Sequence, residues 1–164
     1  QSDPMARGQA ERLMPMIETL LTDQGAAWSD LDRIGVGIGP GNFSGIRISV
    51  SAARGLALAL KIPAIGVSTF EATAFTAPDG QIPAVPAPRN KVYIAPPGEA
   101  PRLVAHTDDK NLALPPDGAD LTLNIARLAA LAEKPFIRPA PLYIRAADAA
   151  PPREAAPVII DDIS

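Results

Sequence analysis

The nine residues 39–47, Gly-Pro-Gly-Asn-Phe-Ser-Gly-Ile-Arg, concentrate the polar and conformationally free positions of this chain. Gly39, Gly41 and Gly45 let the backbone turn tightly between an apolar run at 34–38 and a helix-forming run at 46–60. A strand, a glycine loop and a helix in that order aim unpaired amides and the positive end of the helix dipole at one point. That is the build of a phosphate cradle. Asn42, Ser44 and Arg47 would add an amide, a hydroxyl and a cation to it.

The standard versions of that chemistry do not fit the spacing. A P-loop needs a lysine after its second glycine; here Ser44 stands five residues after Gly39 and no lysine follows. The dinucleotide fingerprint needs a third glycine where Asn42 stands. Ser44 as a nucleophile needs a base, and the one histidine, His106, lies far off in a proline-flanked region. Ser44 therefore reads as a helix N-cap or a loop-stabilising hydroxyl, and Arg47 as the partner of a carboxylate such as Glu11. Asp30 and Asp32 flank a turn, and Asp161-Asp162 has nothing opposite it to chelate a metal. Trp28 reads as a lid on the core. With no cysteine and one histidine, a thiolate or histidine metal site is not expected, and neither is a catalytic set or a cofactor.

The elements that position the loop follow from periodicity and proline. The chain has 164 residues, a net charge of −3 and nineteen prolines, four before residue 78 and fifteen from there on. The acidic balance gives no electrostatic case for direct nucleic-acid binding, and no run of eighteen apolar residues suggests a membrane span. Residues 1–78 are expected to form a first lobe and 79–149 a smaller proline-rich second lobe, with 150–164 an extended tail. Leu13, Met16, Ile17, Leu20 and Leu21 predict a first helix with Pro15 inside it and Gly25 as its stop. Strands are expected at 33–38 and 63–67, a helix at 46–60, and a capping box at Ser68-Thr-Phe-Glu71. Beyond residue 80, strands are expected at 82–85, 92–95, 103–106 and 142–145, and a helix at 121–132. The alternation in the first half implies an α/β fold with a largely parallel, covered sheet there. The helix after the loop is built almost wholly of small residues, which allow close packing on its own sheet, on a partner's helix, or on both from different sides.

The block Ile34-Gly-Val-Gly-Ile-Gly-Pro-Gly-Asn-Phe-Ser-Gly-Ile-Arg47, followed by 52–60 and by Ile62-Pro-Ala-Ile-Gly-Val-Ser-Thr-Phe-Glu71, resembles the TsaB (YeaZ) family. Gln9-Ala-Glu-Arg-Leu-Met-Pro-Met-Ile17 is similar to that family's first helix, and Pro141-Leu-Tyr-Ile-Arg145 to its C-terminal signature. The resemblance implies an actin/sugar-kinase/Hsp70-like (ribonuclease-H-like) two-lobe fold. It implies a first lobe incomplete at the N-terminus, since the family's opening strands have no counterpart here. It implies a non-catalytic, cytoplasmic scaffold that binds the catalytic subunit TsaD, reaches TsaE and tRNA only through that complex, and forms a homodimer alone. TsaD and TsaE together modify the tRNA adenosine beside the anticodon. By the resemblance the partner surface would use Glu11, Leu13, Ile17, Ile46, Val50, Ala53, Arg54 and Ala57. Two alternatives follow from the wider family: a glycoprotease-like metallopeptidase, and a nucleotide-binding sugar-kinase relative using the glycine loop.

Overall fold

A computed structural model describes residues 8–106 and 111–144. In chain order the elements are α1 (Gln9–Asp23), β1 (Ile34–Gly37), α2 (Phe43–Leu60), β2 (Ala64–Val67), α3 (Thr69–Ala74), β3 (Ile82–Ala87), β4 (Lys91–Ile94), β5 (Arg102–Ala105), β6 (Leu112–Ala113) and α4 (Gly118–Leu131). A short 3-10 turn, Trp28–Asp30, connects α1 to β1. It is pinned by the Asp30 carboxylate, which accepts the Ala27 N–H at 2.9 Å.

β1 and β2 pair in parallel, Ile34 with Ala64 and Gly37 with Val67. Side chains alternate across a strand, and in β1 the alternation separates two kinds of residue. Ile34, Val36 and Ile38 pack with Val50, Ala53 and Ile46 of α2. Gly35 and Gly37 point the other way, at α4: a Cβ on Gly35 would lie 2.9 Å from the Ala129 Cβ. In β2, Ile65 and Val67 fill the α4 side with Leu121, Ile125 and Leu128. The sheet is thus covered on both faces, as a parallel pair requires. The second helix layer comes from residues 118–131, beyond the expected lobe boundary at 78.

The second sheet has the order β5-β4-β3-β6. Arg89 and Asn90, both with positive φ, reverse the chain between antiparallel β3 and β4. β6 covers only Ile82 and Pro83, so the rest of β3 is an edge on that side, where a strand tolerates Pro86. Ala84, Val92 and Ile94 form this sheet's buried cluster.

Four sequence expectations differ from the structure. α2 begins at Phe43 rather than at 46, because Asn42 caps it: the Asn42 side chain accepts the Gly45 N–H at 2.8 Å. Ser44 is therefore in the first turn, exposed, and is not the cap. Residues 142–144 form no strand; the segment makes one ladder-like bond, from the Leu142 N–H to the Ile38 carbonyl at 2.8 Å, and Pro139 and Pro141 deny it two donors. Arg145 lies outside the described residues, as do Asp161 and Asp162. Trp28 is half-buried beside Leu21 and Ala26, outside the buried clusters. The expected capping box forms as read: Ser68 Oγ accepts from the Glu71 N–H at 3.1 Å while Glu71 accepts from the Ser68 N–H at 2.7 Å.

Candidate functional site

The glycine loop leaves β1 at its C-terminal end. Gly39, with φ +97°, makes the reversal that a side-chain-bearing residue would strain to make. Its carbonyl accepts the Thr69 N–H at 2.8 Å, and the next carbonyl, that of Pro40, accepts the Thr69 hydroxyl at 2.9 Å. Thr69 opens α3, so the capping box at Ser68 holds the residue that latches the loop. Further along, the Gly45 amide is taken by Asn42. Two of the loop's carbonyls and one of its amides are thus turned onto the protein itself.

Arg47 completes this closure. Its Nε donates to the Tyr143 hydroxyl at 2.8 Å, and its guanidinium carbon lies 3.7 Å from the Phe43 ring centre. The two rings face each other at 5.3 Å between centroids. The partner expected for Arg47 was Glu11; the structure supplies aromatic rings and a phenol instead. A cation over a ring face gains electrostatic attraction without needing a carboxylate. The loop, Tyr93 of β4 and residues 142–144 enclose a cleft of about 590 Å³ between the two sheets. Its walls are mainly apolar.

Among the described residues no catalytic constellation forms around it. Ser44 is exposed, and His106 follows β5 in the other sheet, its N–H bonded to the Asn90 carbonyl at 3.0 Å. Among the described residues no group of three or more His, Asp or Glu side chains is placed to hold a metal ion.

The residues expected to meet a partner divide between two faces. Val50, Ala53 and Ala57 recur at i, i+3 and i+7, and that stripe is buried against the chain's own sheet; Ile46 is half-buried with them. In this chain Val50, Ala53 and Ala57 thus face its own core, whereas the expected surface placed them toward a partner. Arg54 remains half-exposed on the flank of α2. On α1, Glu11 is exposed and Leu13 and Ile17 are half-exposed. Ile48, Ser51 and Ala52, outside the eight residues expected at a partner surface, line a groove between α1 and α2 with Leu13 and Met14. The helical spacing of 44, 48, 51, 55 and 58 places Ile48 and Ser51 on the opposite stripe to 50, 53 and 57, with Ala52 beside it. α2 is also long and apolar enough to cross a membrane by length and composition. Here one stripe of it packs on β1 and β2.

A strand–glycine loop–helix unit on a parallel pair, beside a second sheet, defines a mixed α/β protein of the actin/sugar-kinase/Hsp70-like class. The family model described as TsaD, tRNA N6-adenosine threonylcarbamoyltransferase, matches residues 4–113, and the chain belongs to that family. Within it the similarity runs to TsaB (YeaZ) proteins. The chain is 42% identical over 64 residues to the Escherichia coli tRNA threonylcarbamoyladenosine biosynthesis protein TsaB, covering 39% of this chain and 28% of that protein. It is 39% identical over 92 residues to the Bacillus subtilis protein of the same name, covering 54% and 40%. The chain thus spans well under half the length of these relatives. A crystal structure of an uncharacterized protein with similarity to peptidase YEAZ from Pseudomonas aeruginosa matches with a TM-score of 0.67 at 26% identity, over 87% of both chains. YeaZ from Pseudomonas aeruginosa matches with a TM-score of 0.63 at 27% identity, again over 87% of both.

Proposed function

We propose that the chain serves tRNA threonylcarbamoyladenosine biosynthesis as a non-catalytic subunit, docking a TsaD-like transferase on α1 and the outward stripe of α2. The observation that carries this reading is the uncovered apolar face of α1. All fifteen of its residues escape full burial, and Leu20 is 43% exposed, although Leu13, Met14, Met16, Ile17 and Leu21 form an apolar stripe. A helix packed this lightly has its apolar surface still to bury. Beside it, Ser51, Ala52 and Gly55 present a small-residue surface that lets another helix approach closely. The names of the E. coli and B. subtilis relatives, and the transferase family to which the chain belongs, support the same pathway.

Alone, the same face pairs two copies of the chain. A TsaE homologue and the tRNA are reached through the complex, in the cytoplasm, and the subunit itself carries no cofactor. The test is size-exclusion chromatography with light scattering on the chain mixed with a TsaD homologue. A stoichiometric complex is expected, weakened at least tenfold by Leu13→Asp or Ser51→Arg. Failure to form any complex at micromolar concentration overturns the proposal, and so does a complex indifferent to both substitutions.

A further inference from the structure

A second groove lies at the end of α2 remote from the glycine loop. Leu58 and Ile137 line it at 81% and 86% exposure, the barest large hydrophobic side chains among the described residues. Arg54, Lys61 and Arg138 line it as well, and no carboxylate does. Among the described residues these three cations have no ion pair. The groove measures about 500 Å³. Bare apolar side chains among uncompensated cations fit a ligand that is apolar and anionic at once.

One stretch of the sequence has that chemistry: Val-Ile-Ile-Asp-Asp-Ile at 158–163. Nowhere else in the chain does an acidic pair follow an apolar triplet. The segment can also reach. Ile144 lies in the cleft with Phe43, at the start of α2, and Leu58 is fifteen residues along that helix, about 22 Å at 1.5 Å per residue. The fourteen residues from Ile144 to Val158 extend to at most about 46–50 Å.

We propose that residues 158–163 dock in cis in this groove, with Val158, Ile159 and Ile160 over Leu58 and Ile137. Asp161 and Asp162 then meet Arg54, Lys61 and Arg138. The groove shares one residue, Leu58, with the surface proposed above for the transferase, and its other lining residues lie outside that surface. A second copy of the chain, supplying the same six residues in trans, is the competing occupant.

The absence of cysteine makes the test direct. Leu58→Cys with Ile160→Cys places a thiol pair across the proposed contact, and cysteine keeps that contact apolar. Ala126→Cys with Ile160→Cys is the control, because Ala126 is exposed on α4, across the sheet from α2. Disulfide formation under mild oxidation, at low salt and micromolar protein, is followed on non-reducing gels. The first pair is expected to close within one chain at least tenfold faster than the control, and Asp161→Lys with Asp162→Lys to remove most of that advantage. Equal rates for the two pairs overturn the proposal. A product that is only intermolecular assigns the groove to a second copy, and a rate untouched by the charge reversal removes the ionic half of the contact; either result also overturns it as stated.

Discussion

Arg47 is a cation whose contacts are already made. An anion over the glycine loop would have to draw it away from both the Tyr143 hydroxyl and the Phe43 ring. The hydrogen bond is exposed, so Tyr143→Phe is expected to cost no more than about 1 kcal/mol in a urea titration. Asn42 and Ser44 make a sharper pair. Both are polar, both lie in the loop, and both belong to the residue types that cap helices. Only Asn42 holds an amide, that of Gly45. Asn42→Ala is therefore expected to destabilise the chain by about 1 kcal/mol, and Ser44→Ala to stay within about 0.5 kcal/mol of the parent. Equal losses at the two positions would return the cap to Ser44. This distinction was only half legible in the sequence. Asparagine ranks with serine as a cap, and the glycines around both residues made 42–45 read as loop rather than as first turn.

At the scale of elements, β1 owes the close approach of α4 to where its glycines fall. Gly35 admits α4 so closely that an added methyl would meet the Ala129 Cβ at 2.9 Å and the Ile125 carbonyl oxygen at 3.2 Å. Neither neighbour is the free end of a flexible chain, so Gly35→Ala is expected to cost about 1–3 kcal/mol by overpacking. Gly55, in the middle of α2, has nothing within 4 Å of an added Cβ. There the same substitution is expected to stabilise by up to about 1 kcal/mol through helix propensity. Opposite signs in two denaturation curves check the pair; a loss at Gly55 would place a neighbour against it that the free chain lacks. The strand–loop–helix order, the capping box at Ser68 and the helix after residue 118 were legible because each is a local pattern. The stripe on α2 was legible in spacing but not in destination, since 50, 53 and 57 satisfy a partner and a sheet equally well until the sheet is seen. The return of α4 to β1 had no local signal. The glycines at 35 and 37 were its only trace, and inside the strand expected at 33–38 they named no helix to cover it.

The whole molecule is joined across the expected boundary at residue 78 by three long-range ties. Arg33, just before β1, donates to the carbonyls of Ala129, Ala130 and Ala132 at 3.0, 2.9 and 3.1 Å, closing the C-terminal end of α4 with a positive charge. Asn124, 2% exposed, donates from α4 to the Ala72 carbonyl of α3 and to the Thr76 hydroxyl. α3 in turn packs on β3 of the second sheet. The first sheet therefore depends on a helix that is reached only by passing through the second. α3 and α4, packed on each other, link the second sheet to the first, which makes a single cooperative unfolding transition the expected behaviour. Trp28, the one tryptophan, lies in the segment leading to β1 and reports that region by fluorescence, whereas far-UV circular dichroism reports every element. Their urea midpoints are expected to coincide. Arg33→Met keeps much of the side chain's length and removes its charge and donors, leaving three carbonyls to water or unpaired. It is expected to lower both midpoints together, by about 1.5–3 kcal/mol of stability. Midpoints that separate, in the parent or in this variant, would show that α4 detaches from β1 while the second sheet holds, and would restore the boundary at residue 78 as a division between independently stable parts.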